Sequence, residues 1–158
     1  MMVMVDNNFL IRLVSDRETY RIFIQNLERN EMSLGLPTPV MAEFLVKDEN
    51  YDRATFLSKV NNFMQTFDFD VKSAKISAEI FRDLLKIDYF KGDNGNRQVI
   101  KVDIQIIAIT LANGIRRLYT EDKGLIKIIK ILGLPIEVID FERNEFLGMT
   151  LFESSLYR

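Results

Sequence analysis

The chain opens with apolar positions side by side, "MVMV" at 2–5, and turns polar at once with Asp6, Asn7 and Asn8. A short unbroken apolar run predicts a strand covered on both faces. Apolar residues return at helical spacing over 8–14, and again at Tyr20, Phe23, Ile24 and Leu27. "MSLGLPTPV" (32–40) reads as a short strand followed by Pro37 and Pro39, an extended lead-in to a helix carrying Met41, Glu43, Phe44 and Leu45. The spacing of Phe56, Leu57, Val60, Phe63 and Met64 predicts a helix over 56–64, and the alternation of "FDFDV" predicts a strand over 67–71. Ile76, Ile80, Phe81, Leu84 and Leu85 mark a helix ending near Tyr89, and "KGDNGNR" (91–97) is a loop. "VIKVDIQIIAITLANG" (99–114) is a strongly apolar helix ended by Asn113 and Gly114. "RRLYT" then reads as a strand, "EDKGLIKIIKILG" as a helix ended by Gly133, and "PIEVIDF" as the last strand. This alternation predicts an α/β fold, a three-layer sandwich of a parallel sheet between helices. Ligands of such sheets gather beyond the carboxyl ends of the strands.

Composition narrows the chemistry. The 158 residues suggest one domain, long enough to bury a core without disulfides or a structural metal. The sequence has no cysteine and no histidine. Thiolate zinc sites, histidine triads and histidine acid–base pairs are therefore excluded. Any metal would be held by oxygen, which favours magnesium or manganese. A formal net charge of −2 gives no overall basic surface for a polyanion, leaving only a local basic rim to do that work. The opening apolar run is short and lacks a preceding basic region, and no apolar stretch reaches the ~20 residues of a membrane span. A cytoplasmic protein without a membrane anchor is expected.

Four acids stand out against this pattern. Asp6 ends the first strand, and Asp122 follows the strand "RRLY"; if those strands are adjacent, the two carboxylates face one crevice. Helix capping is an equally good reading of each alone: Asp6 as an N-cap, or Thr120 as an N-cap with Glu121 and Asp122 favouring the helix dipole. Asp103 is less ordinary, because Val99, Ile100, Ile106 and Ile107 stand three and four positions away and place it on an apolar stripe. Glu43 lies between Val40 and Val46 at helical spacing, with Lys47 positioned to pair with it. Asp68 and Asp70 read as the solvated face of an edge strand.

In order, these acids resemble the pattern of PIN-domain nucleases, including the toxins of VapBC-type toxin–antitoxin pairs. "VMVDNNFLIRLV" matches the opening strand, Asp and helix; "PTPVMAEFL" matches the helix with Glu43. "VIKVDIQIIAITLANG" supplies Asp103, and "RRLYTEDKGL" supplies a T-x-D as Thr120 and Asp122. The resemblance spans residue 3 to about 140. Asn7 stands where Thr or Ser is common, Leu125 where an aromatic is common, and 141–158 forms a C-terminal extension. The resemblance implies a sheet of about five parallel strands and a magnesium or manganese ion at Asp6, Glu43, Asp103 and Asp122. It also implies hydrolysis of phosphodiesters in RNA to a 5′-phosphate and a 3′-hydroxyl. In that reading Thr120 orients Asp122 or a water, and Asn7 touches the substrate. Arg12, Lys47, Arg97, Lys101 and Lys123 are candidates for holding the nucleic-acid backbone. A small antitoxin or a second copy of the chain is the implied partner. The alternative is a PIN-like module that binds RNA or protein without cleaving it.

Overall fold

In a computed structural model of the chain, residues 1–47, 52–59, 61–91 and 97–139 are described. The first strand, β1 (Met2–Val5), forms as the sequence predicts. Val3, Met4 and Val5 are completely buried, so both faces of the strand are covered. The chain turns at Asp6 into α1 (Asn7–Ser15), continues as α2 (Arg17–Arg29), and returns as β2 (Ser33–Pro37). Pro39 sits in the first turn of α3 (Thr38–Val46), where its missing N–H costs no helical bond. Next come α4 (Asp52–Lys59), β3 (Met64–Phe67), α5 (Val71–Lys86) and α6 (Arg97–Ala112). The described residues end with β4 (Arg117–Tyr119), α7 (Lys123–Ile131) and β5 (Glu137–Ile139). Gly114 and Gly133 have φ of +66° and +58°, the left-handed turns that stop α6 and α7 where the sequence places their ends.

The strands form one parallel sheet in the order β3-β2-β1-β4-β5. The chain thus builds outward from β1 in one direction and then, with β4, in the other. The connections leaving β1 and β4 part company there, opening a crevice at their carboxyl ends. Phe9, Phe23 and Tyr119 knit α1, α2 and β4 together beneath it: Phe9 stacks on Tyr119 at 4.8 Å between centroids and meets Phe23 edge-on at 5.1 Å. No helix of the described residues is long and apolar enough to cross a membrane.

One region departs from the predicted elements. The helix expected over 56–64 begins at Asp52 and ends at Lys59, a 3₁₀ turn covers Asn61–Phe63, and the strand lies at 64–67 instead of 67–71. Asp70 belongs to no strand. It N-caps α5, its carboxylate accepting from the Ser73 N–H at 2.7 Å, and that capping bond draws 68–70 out of extended pairing. Most of the loop 91–97, the extension 141–158 and the side chains of Tyr20 and Arg97 lie outside the described residues.

Candidate functional site

Asp6 sits one residue beyond β1, and the ladder continues through its backbone N–H to the Tyr119 carbonyl of β4 at 3.3 Å. Its carboxylate is buried and does two local jobs. One oxygen, Oδ1, accepts from the Phe9 N–H at 3.0 Å and caps α1; the other, Oδ2, accepts from the Thr120 hydroxyl. Thr120 in turn accepts from the Asp122 N–H at 3.0 Å, so the turn after β4 is tied to the turn after β1. Asp122, not Thr120, caps α7, its Oδ1 accepting from Gly124 and Leu125 N–H at 2.8 and 3.1 Å. Capping and convergence are therefore both true of Asp6 and Asp122.

Asp103 reaches the same place from the middle of α6 and is only 6% exposed. Asp6, Asn7, Asn8, Glu43, Asp103 and Asp122 line a single cavity of about 40 Å³. Ile106 and Leu125 complete its wall. Glu43 is exposed, and among the described residues no ion pair joins it to Lys47. A roomier groove of about 590 Å³ opens at the amino ends of β1 and β4, but no acid lines it. The four acids line the smaller pocket.

Crowding of these groups shows in their protonation. Burial, followed by the charges of Asp122, Glu43 and Asp6, pushes the Asp103 carboxyl up to about 7. Asp6 rises to about 6, burial outweighing the bonds from Thr120 and Phe9 that favour its anion, with Asp122 and Glu121 adding repulsion. A pocket of like charges in apolar surroundings is unstable as it stands and calls for a counter-charge.

The donor set suits a hard divalent cation. All the side-chain donors are oxygens apart from the amide nitrogens of Asn7 and Asn8. Asn7 Oδ1 is buried without a hydrogen-bond partner among the described residues. Gly124 leaves the pocket open on its α7 side: a Cβ there would stand 3.2 Å from Asp122 Oδ1 and 3.4 Å from Asp103 Oδ2. Among the described residues no three acids are close enough together to share one ion directly.

None of the basic residues lines the pocket among the described residues. Arg12, one helical turn along α1 from Asn8, has its Nη2 3.2 Å from Oε1 of Glu121. Lys47, Lys101 and Lys123 are exposed and do not line the pocket; Lys101, two positions from Asp103, points to another side of α6. The sequence gives Asn8 and Gly124 no site role and Glu121 only a helix-dipole one, although position 121 lies inside the T-x-D.

The sequence profile of the PIN domain family matches residues 3–131. No curated protein sequence matches the chain significantly. Among solved structures, the chain resembles one in the crystal structure of VapBC2 from Rickettsia felis bound to a promoter DNA fragment. The TM-score is 0.65 at 19% identity, over 89% of this chain and all of that one. DNA-bound VapBC from Salmonella typhimurium gives 0.59 at 18% identity, over 89% and 98% of the two chains. VapBC-1 from nontypeable Haemophilus influenzae gives 0.63 at 16%, over 90% and 99%.

Proposed function

Because the chain belongs to the PIN domain family, we propose that it is a magnesium- or manganese-dependent endoribonuclease and the toxin of a two-protein toxin–antitoxin pair. The observation that carries this reading is the meeting of Asp6, Glu43, Asp103 and Asp122 around one small pocket at the switch point of the sheet. The likeness to VapBC structures supports the toxin assignment and a small antitoxin as partner.

Asp6, Asp103 and Asp122 would hold the cation, directly or through water, and Asn7 Oδ1 is placed to accept from one of those waters. When bound, the ion supplies Lewis acidity toward a phosphate oxygen and lowers the pKa of water. Glu43 takes the proton of the attacking water. Water oxygen bonds to phosphorus as the P–O3′ bond breaks, the departing 3′-oxygen takes a proton from solvent water, and the products carry a 5′-phosphate and a 3′-hydroxyl. Thr120 holds Asp6 and the Asp122 backbone in register throughout, a positioning role. Arg12, one helical turn along α1 from Asn8 of the pocket wall, would hold the RNA backbone.

Purified protein incubated with single-stranded RNA and manganese, with and without excess EDTA, tests the reading. Cleavage in manganese that stops in EDTA is expected. Cleavage indifferent to EDTA would refute the mechanism, and RNA binding without cleavage would favour the non-catalytic alternative.

A further inference from the structure

Arg12, assigned above to the RNA backbone, is held in an ion pair by Glu121, which has no part in the chemistry above. Arg12 Nη2 lies 3.2 Å from Oε1 and 3.3 Å from Oε2 of Glu121. Arg12 rides on α1, the helix that Asp6 caps and that carries Asn7. Glu121 lies between Thr120 and Asp122, the two residues tied by a hydrogen bond just beyond β4. The pair therefore bridges the two turns that build the pocket. Its side chains are 37% and 23% exposed, so solvent and a ligand reach both.

We propose that Glu121 is a positioning residue for substrate: it stores the Arg12 guanidinium beside the pocket and yields it to a backbone phosphate when an RNA strand enters. This rests on the ribonuclease reading of the same site. A polyanion approaching a cluster of carboxylates needs a cation at the edge, and a guanidinium is the side chain whose donors fit phosphate oxygens best. Arg12 stands one helical turn along α1 from Asn8 of the pocket wall, and its partner Glu121 directly precedes Asp122 of the same wall. A half-exposed ion pair is weak, so a phosphate displaces the glutamate at small cost. Glu121 also carries like charge toward the pocket, being near enough to Asp6 to disfavour its ionisation. The site thus contains a local competitor for its own substrate-holding arginine. A purely structural pair would staple α1 to the turn after β4 and would have no bearing on phosphate.

The test is a double-mutant cycle read by the fluorescence anisotropy of a labelled 12-nucleotide single-stranded RNA, in EDTA to prevent turnover. Thermal melts of each variant serve as the check on folding. Glu121→Gln should tighten binding about two- to fivefold, the range an exposed pair commands. Arg12→Ala should weaken binding and lower the slope of log affinity against log salt by about 0.7, one phosphate contact on a single strand. In the Arg12→Ala background, Glu121→Gln should change affinity by much less than in the wild type. Arg12→Lys, which keeps the charge and loses the fork, should fall between wild type and Arg12→Ala and covers the case of a poorly folded alanine variant. Equal tightening by Glu121→Gln in both backgrounds would overturn the proposal, since Glu121 would then act as a bare charge. Weaker binding by Glu121→Gln would overturn it too, as would no detectable wild-type binding. Cleavage in manganese is scored separately, so a nuclease without this exchange and an exchange without a nuclease give different results.

Discussion

At the scale of single residues, Asp103 bears the conflict between stability and chemistry. Its carboxyl is buried on an otherwise apolar helix face and raised to about 7, so the folded protein prefers it protonated. The unfolded chain holds the same group near 3.8. Between those values the native state binds more protons than the unfolded one, and the metal-free protein must lose stability as pH rises. Asp6, raised to about 6, adds to the same trend. Urea unfolding in EDTA should therefore find the protein more stable near pH 5 than near pH 8, with a shallower decline in Asp103→Asn. At pH 8 that variant should match or exceed the wild type by about 0.5–2 kcal/mol while losing cleavage, since it relieves repulsion that the active site carries for function. Thr120 sits on the opposite side of this balance. Its hydroxyl is the donor to Asp6 Oδ2, and Thr120→Val leaves a buried acceptor alone. A loss of about 1–3 kcal/mol is expected at neutral pH, measured by the same urea titration.

Elements explain why some of this was visible beforehand and some was not. Asp6 and Asp122 were ambiguous in sequence because a helix N-cap and a strand-end ligand ask for the same residue at the same place, and here each caps a helix and lines the pocket. The two roles separate by substitution. Asn caps nearly as well as Asp, so Asp122→Asn should keep the stability of α7, whereas Asp122→Ala should cost about 0.5–2 kcal/mol. Both should lose the stabilisation by manganese, which thermal melts would report. Asp103 was legible because its neighbours three and four positions away are all apolar, and Asp6 and Asp122 because each stands where an element ends or begins. The edge strand β3 was misplaced by three residues for a physical reason. It is four residues long with Gln65 and Thr66 exposed, so little burial marks it, while Asp70 caps α5 and mimics the alternation of a strand. The Arg12–Glu121 pair joins positions 109 residues apart and leaves no local periodicity to find.

For the molecule as a whole, the topology does the work that local sequence does not. Placing β1 beside β4 brings residue 6 next to residue 120, and α6 then carries Asp103 across to them. The resulting pocket is electrostatically incomplete in a protein with a net charge of only −2, so its deficit is local and a bound cation is its natural remedy. Ion binding to the folded state alone must raise stability by mass action, by about 2.7 kcal/mol at a hundredfold excess over the dissociation constant. Thermal melts of the wild type and Asp103→Asn, each in EDTA and in manganese, test the central claim most directly. The predicted result is a clear upward shift of the wild type by manganese and little or none for Asp103→Asn. Equal shifts for the two proteins, or no shift for either, would contradict the claim that these carboxylates converge on a cation.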